Sequence, residues 1–351
     1  MNPVIDITPK SQYRSDLKPS KSISLKSVTA KRVANTKGMD YSKWLEVRRQ
    51  GIGSSDAAAA CGLNPYMSML ELWMLKTGRA LSSPEQQAKS GNNPLYWGHQ
   101  LEPLIADFYQ QYTGHKVRRV NAVLQHPDDD KSFMLANLDY TVIGAEDIQI
   151  LECKTAGQYG SRLWKEGVPL YVLCQVQHQL AVTGKQAAHV CVLLCGHETQ
   201  IFKVTRNEKV IQALIESERY FWQCVTDDRL PEPDASTSAA SAIQRLYPKH
   251  EPLESEDFKE DASANRLFDE LLLEKDKLET HQKQVELLKQ QIQMRMKHAE
   301  KAVFQRGIVT WKASKDRVSL DTKTLLKAQP ELLEQYGEVK EGSRRFQIYT
   351  D

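Results

Sequence analysis

The chain has no hydrophobic run near the roughly 18 residues that a bilayer-spanning helix needs, so a membrane protein of that kind is not expected. Its first residues include no apolar segment of signal-peptide type, and an intracellular protein is expected. No C-x-x-C pair occurs: the six cysteines (Cys61, Cys153, Cys174, Cys191, Cys195, Cys224) are scattered and read as reduced core residues. An excess of one sign of charge is missing too, with 47 Lys and Arg against 45 Asp and Glu. A net +2 does not by itself ask for a nucleic-acid partner, and a local basic surface would have to supply that attraction. The Gly-Lys-Ser/Thr ending of a phosphate loop is missing, which argues against nucleotide hydrolysis. What is present is ordinary for a globular protein, with 40% hydrophobic and 26% charged residues over 351 positions. That length suffices for one large core or two smaller ones.

Composition divides the chain into four parts. Residues 1–38 carry Lys10, Arg14, Lys18, Lys21, Lys26, Lys31, Arg32 and Lys37 against Asp6 and Asp16, and lack a hydrophobic period. They read as a flexible basic arm. Residues 39–230 have the pattern of a compact α/β domain. Helices are expected over Ser55–Ala60, Tyr66–Lys76, Leu95–Thr113, Leu170–Thr183 (stopped by Gly184) and Asn207–Thr226. Strands are expected over Val117–Leu124, Phe133–Leu138, Ile148–Lys154, His189–Leu194 and Gln200–Val204. This order predicts an α/β fold of the α+β type, a central mixed sheet flanked by helices, in place of a doubly wound parallel sheet.

Residues 231–240, rich in Pro, Ser and Thr, read as a linker. Residues 241–351 read as a C-terminal appendage able to serve oligomer or partner contacts. In it a long polar helix spans Ala264–Glu300, and strands at Phe304–Lys312 and Arg344–Tyr349 enclose a short helix. Leu271, Leu278, Val285 and Ile292 fall seven apart, as in a coiled coil, but Glu274, His281 and Arg295 interrupt the complementary positions.

The triplet Glu152-Cys153-Lys154 ends the apolar run that starts at Ile148. Strand side chains alternate, so Glu152 and Lys154 share a face while Cys153 points the other way. Asp139 lies 13 residues upstream, at the end of another apolar stretch, so a hairpin would bring it beside them. Two carboxylates crowd together at low cost only when a cation separates them, and Mg2+ takes such oxygen-rich surroundings. Glu102 interrupts an apolar helix face formed by Leu101, Leu104 and Ile105, and is either solvated or aimed inward at a cation. Gln175 and His178 lie on one predicted helix, where they could bond a strand or hold a water or phosphate oxygen.

Arg48-Arg49-Gln-Gly-Ile-Gly-Ser-Ser55-Asp56 joins two guanidinium groups to a glycine turn and a helix start. That combination suits an anion, although Ser54, Ser55 or Asp56 could equally be N-caps. Cys191 and Cys195 are too far apart along one strand to share a metal. Trp44, Trp73 and Trp97 read as core residues.

Together these segments carry a resemblance. Arg48 to Ala58, Leu63-Asn-Pro-Tyr66, Trp97-Gly-His-Gln-Leu-Glu102-Pro, Ala136-Asn-Leu-Asp139, Leu151-Glu-Cys-Lys154 and Gln175-Val-Gln-His-Gln-Leu180 resemble the YqaJ-type viral recombinase family. That family is related to phage lambda exonuclease and belongs to the PD-(D/E)xK nucleases, whose core is restriction-endonuclease-like.

The resemblance covers residues 41–205 and implies 5′-to-3′ digestion of one strand of duplex DNA from an end, with Mg2+ as cofactor and Mn2+ as possible substitute. It also implies a homotrimer, work beside a single-strand annealing protein, and a phage or prophage protein in a bacterial cytoplasm. By the same resemblance Asp139, Glu152 and Glu102 are metal ligands, Lys154 is the motif lysine and Gln175 the glutamine of the following helix. Arg48 and Ser55 bind the 5′-terminal phosphate, with Arg49 adjacent. The chain departs from the family's Asn-Pro-Asp-Gly with Asn137-Leu-Asp-Tyr140. A branch- or site-directed endonuclease of the same superfamily and a non-catalytic DNA-end scaffold are the competing expectations.

Overall fold

A computed structural model describes residues 30–79, 94–340 and 342–350. A first unit runs to Tyr247 and a second begins at Pro248. In chain order the first unit holds β1 (Lys31–Asn35), α1 (Tyr41–Arg49), β2 (Ile52–Gly53), α2 (Ala57–Ala60), α3 (Met69–Lys76) and α4 (Pro94–Thr113). Then follow β3 (Lys116–Arg119), β4 (Ala122–Gln125), β5 (Met134–Ala136), β6 (Tyr140–Ile143) and β7 (Ile150–Ala156). Helix α5 (Leu170–Thr183), β8 (Ala187–Leu194), β9 (Glu198–Thr205), α6 (Glu208–Thr226) and α7 (Thr237–Leu246) complete it.

The strands form two sheets, ordered β1-β4-β5-β2 and β3-β6-β7-β8-β9. Pairs β2–β5 and β7–β8 are parallel and the others antiparallel, so both sheets are mixed. A parallel pair needs a long crossover, and α5 is the one joining β7 to β8. Alternation along β7 and β8 then decides which helix covers which face. Ile150, Val190 and Val192 pack with Val176 and Leu180 of α5. Leu151 and Cys191 pack with Ile105, Ala106 and Tyr109 of α4. The predicted mixed sheet flanked by helices is therefore present, but its strands are shared between two sheets.

That division corrects several expectations. The single strand predicted over Val117–Leu124 is two strands: β3 pairs with β6, while β4 pairs with β1 and β5. The break falls at Val120 and Asn121, where the Val120 amide turns to the Asp139 carbonyl at 3.0 Å. The predicted arm over 1–38 lies outside the described residues up to Thr29, but Lys31–Asn35 is no arm: it extends the first sheet beside β4. Helix α3 starts at Met69, three residues later than predicted, because the Ser68 side chain caps it and Asn64 turns the chain before it. Gly184 closes α5 at φ 68°, as its position predicts.

The expected linker at 231–240 is overturned in its second half. Ser236 caps α7, and Ser238 Oγ meets Ser68 Oγ at 3.1 Å while Arg245 pairs with Glu71 at 2.7 Å. Those bonds hold α7 on α3 inside the first unit. In the second unit, α8 (Ala262–Met296) is 35 residues long and buries only Met296. Pairs such as Lys277–Glu274 at 2.9 Å and Lys283–Glu279 at 2.6 Å lace its surface. A hairpin of β10 (Lys301–Phe304) and β11 (Gly307–Thr310) follows, then α9 (Thr322–Ala328) and α10 (Glu331–Tyr336). The strand predicted at Arg344–Tyr349 does not form.

Candidate active site

Strand β5 belongs to the first sheet and β6 to the second, and Asp139 stands where the chain passes between them. Tyr140 pairs with Leu151, so the continuing register brings Asp139 across from Glu152. Asp139 Oδ2 accepts a hydrogen bond from the Cys153 amide at 2.9 Å. No residue from Asn137 to Tyr140 takes a positive φ, so the departure from Asn-Pro-Asp-Gly needs no glycine here.

Glu152 is more deeply buried than Glu102 or Asp139, with 2% of its surface exposed. A carboxylate so placed must be paired, and it is. Its Oε1 lies 2.7 Å from Lys154 Nζ and accepts from Gln175 Nε2 at 2.5 Å. Its Oε2 accepts from Gln179 Nε2 at 2.8 Å. Lys154 Nζ also donates to Gln175 Oε1 at 2.9 Å, closing a ring of Glu152, Lys154 and Gln175. Burial works against the ammonium, but Glu152 and Asp139 outweigh it and raise the Lys154 pKa. Asp139 goes the other way from a usual paired carboxylate. Burial, then the charges of Glu152 and Glu102, push its pKa well up, and Lys154 only partly offsets them.

Glu102 reaches the same acids from α4. It is buried, and its Oε1 has no hydrogen-bond partner among the described residues, although Arg119 Nη2 stands 3.2 Å away. The inward reading of Glu102 is the one observed. This donor set of oxygens fits a hard divalent ion in chemistry. The repulsion around Asp139, to which Glu152 and Glu102 contribute, is what such an ion would relieve. As the side chains stand, no three His, Cys, Asp or Glu among the described residues are close enough to form a finished metal cage.

A second cluster is built on the turn after α1. Arg48 Nη2 donates to Ser55 Oγ at 2.9 Å and pairs with Asp56 Oδ1. Its guanidinium lies 4.8 Å over the Trp44 ring. Lys76 Nζ from α3 holds Asp56 Oδ2 at 2.7 Å and the Arg48 carbonyl at 2.8 Å. Burial opposes ionisation of Asp56, yet Arg48 and Lys76 together hold its carboxyl well below the usual range. Gly53 leaves room for this cluster: a Cβ on it would sit 3.2 Å from Asp56 Oδ2 and 3.3 Å from Arg48 Nη2, and both side chains would have to give way by a few tenths of an ångström. Arg49, one residue on and so turned about 100° around the helix, makes no bond to this cluster.

The two clusters meet at one carbonyl. Ser54 Oγ and Gln179 Nε2 each approach the Asn137 oxygen at 3.4 Å, two residues before Asp139. The structure thus unites Asp139, Glu152, Lys154, Gln175 and Glu102, sets Arg48 and Ser55 together, and leaves Arg49 apart. His178 does not face the acids: it is fully buried against Glu218 and Leu135. Trp73 is core, but Trp97 is 49% exposed, contrary to expectation. Cys195 lies in the turn after β8 at φ 51° and is exposed, while Cys191 is buried. Gln179, Asp56 and Lys76 escaped sequence reasoning as site residues. Only the four-residue spacing of Gln179 from Gln175 could have pointed to the first.

An Asp at the entry to one strand and Glu-x-Lys on the antiparallel neighbour of that strand, with helices on both faces, is the arrangement of a PD-(D/E)xK core. Residues 43–186 match the YqaJ-like viral recombinase domain. The uncharacterized protein YqaJ of Bacillus subtilis (strain 168) is 33% identical over 331 residues, 92% of this chain and 99% of that protein. Among solved structures, an alkaline exonuclease from Laribacter hongkongensis is similar with a TM-score of 0.43 and 19% identity, over 53% of this chain and 93% of that one. A phage-related exonuclease from Haemophilus somnus 129PT gives a TM-score of 0.35 and 11% identity, over 53% of this chain and 99% of that one. The full-length relation to the Bacillus protein and the matched domain make this chain a member of the YqaJ-like viral recombinase family.

Proposed function

We propose that the chain is a deoxyribonuclease that digests one strand of duplex DNA from its end, 5′ to 3′, with Mg2+ as cofactor. The observation that carries this reading is the closed ring of Glu152, Lys154 and Gln175 beside Asp139, on a chain of this family. Asp139, Glu152 and Glu102 would hold the ion, with Mn2+ as a substitute. When bound, it supplies Lewis-acid polarisation of the phosphoryl oxygen.

The protein's own groups account for the rest. Lys154 Nζ, whose charge Glu152 and Asp139 favour, orients the attacking water and balances the extra charge on the five-coordinate phosphorus. Gln175 fixes the lysine through its carbonyl oxygen and the carboxylate through its amide, so both keep their orientation as charge develops. Arg48 presents several N–H donors in a planar fork and Ser55 a hydroxyl, a pair suited to a terminal 5′-phosphate. Anchoring that phosphate makes the enzyme depend on an end and advance in one direction. The strand left behind carries a 3′ end and is a substrate for a single-strand annealing protein, the partner this activity calls for.

The test is an end-labelled linear duplex and a covalently closed circle, each with and without Mg2+. Nucleotide release from the 5′-labelled linear strand alone, only with Mg2+, is expected. Cutting of the circle would replace the exonuclease with an endonuclease, and no release at all would leave a DNA-end scaffold.

A further inference from the structure

Helix α5 carries a third polar side chain beside its two glutamines. Gln175, His178 and Gln179 are three and four residues apart and so share one helix face. The glutamines grip Glu152, whereas His178 is turned aside and is fully buried. Its Nε2 lies 2.9 Å from the Leu135 carbonyl on β5 and its Nδ1 2.7 Å from Glu218 Oε1 on α6. A backbone carbonyl can only accept, so Nε2 carries a proton. Glu218 is also fully buried, and its Oε2 has no hydrogen-bond partner among the described residues. The ring is therefore the partner that a charge on Glu218 has in this interior.

The position of this pair matters for the acids. Leu135 is two residues before Asn137, whose carbonyl meets Gln179, and four before Asp139. The contact from His178 to Leu135 therefore ties the glutamine-bearing helix to the strand that delivers Asp139. We propose that His178, held as an imidazolium between Glu218 and the Leu135 carbonyl, is a positioning residue that locks α5 on β5 and so sets Gln175 and Gln179 on Glu152.

The other charges facing the ring agree with this state. Burial disfavours the charged ring, but Glu218 and the hydrogen bonds outweigh it and raise the His178 pKa, with Asp56 adding to the pull. His126, beyond β4, is lowered in pKa by burial first and then by Lys131, and so presents a neutral ring. The thiols of Cys61 and Cys174 lie beside Glu218, and burial followed by the Glu218 charge raises both, so they stay neutral.

The role in turnover rests on the nuclease reading, so the test has an arm that does not use activity. The full chain, labelled with 15N at His and Gln, is titrated by NMR as wild type, Glu218→Gln and Glu218→Asp. Wild type and E218D should keep both His178 ring nitrogens protonated past neutrality. E218Q should lose one proton below the free imidazole value of about 6.5, because burial is then unopposed, and the side-chain amides of Gln175 and Gln179 should shift with the same midpoint. In the Mg2+ assay on linear duplex, kcat of E218Q should fall about tenfold per pH unit above that midpoint, as a single titration dictates. KM should hold, and E218D should follow wild type. A neutral His178 ring in wild type, stationary glutamine amides while E218Q titrates, or the same profile for E218D and E218Q would overturn the proposal. Inactive wild type with the expected NMR response would instead sink the nuclease reading and leave the clamp standing.

Discussion

Gln179 Nε2 lies 2.8 Å from Glu152 Oε2, one helical turn after Gln175, which holds the other oxygen of the same carboxylate. Two neutral amides thus orient a buried acid while leaving its charge intact. Gln179 Oε1 has no partner of its own among the described residues, so this amide serves the carboxylate more than itself. Replacing Gln179 by Leu strips one hydrogen bond from a buried charge, which costs roughly 1–3 kcal/mol in comparable cases. The expected outcome is a lower Tm and reduced nuclease turnover, read by thermal unfolding and the linear-duplex assay. Unchanged turnover would remove Gln179 from the site.

Lys154→Ala takes away the charge that balances both Glu152 and the phosphate. General acid–base and positioning groups of this kind contribute about 10²–10⁴-fold. We expect kcat to fall by at least the lower figure with the circular dichroism spectrum retained. A folded K154A that digests DNA normally would withdraw the lysine's role.

Arg48 and Ser55 are 2.9 Å apart, but Arg48 is also one of two cations on Asp56. Alanine at Arg48 would unbalance Asp56 as well, so lysine is the sharper substitution: it keeps the charge and loses the planar fork. Arg48→Lys should narrow the difference in rate between 5′-phosphate and 5′-hydroxyl ends while the protein stays folded. Wild type that digests both ends equally would end the anchoring role.

Asp56 makes acid stability predictable. Its folded pKa is depressed, so its stabilisation is fully present above the ordinary value of 3.8 and is lost as pH falls through the lower folded value. Tm should drop steeply below about pH 4, and Asp56→Asn should flatten that drop. Breaking such a buried pair costs about 3–5 kcal/mol, so D56N should be much less stable at neutral pH, read by urea denaturation. Equal acid sensitivity in wild type and D56N would place the titrating group elsewhere.

Most of the elements were legible because period and punctuation agree. Helix α5 runs over the predicted Leu170–Thr183, where apolar spacing and Gly184 mark both its course and its end. The triplet at Glu152 was readable because a strand forces its first and third side chains to one face. Failures came where partners are remote in the chain. The split at Val120 depends on a carbonyl 19 positions later, and Ser238, 170 positions from Ser68, draws a linker-like segment into a helix. The apolar seam of α8 is periodic, yet Leu278 and Val285 are exposed, 57% and 51%. Period alone cannot tell a covered face from an uncovered one.

Local sequence was enough to tell which side chains of β7 point together, where α5 stops, and that acids and a lysine of nuclease type occur in order. These follow from backbone geometry that any chain obeys over a few residues. It took packing in three dimensions to stand Asp139 at the passage between two sheets, to turn Glu102 inward, and to face His178 toward Glu218 and away from Glu152 and Asp139. Those outcomes depend on which surfaces pack and which charges burial forces to find partners, and both are set by contacts between residues tens of positions apart.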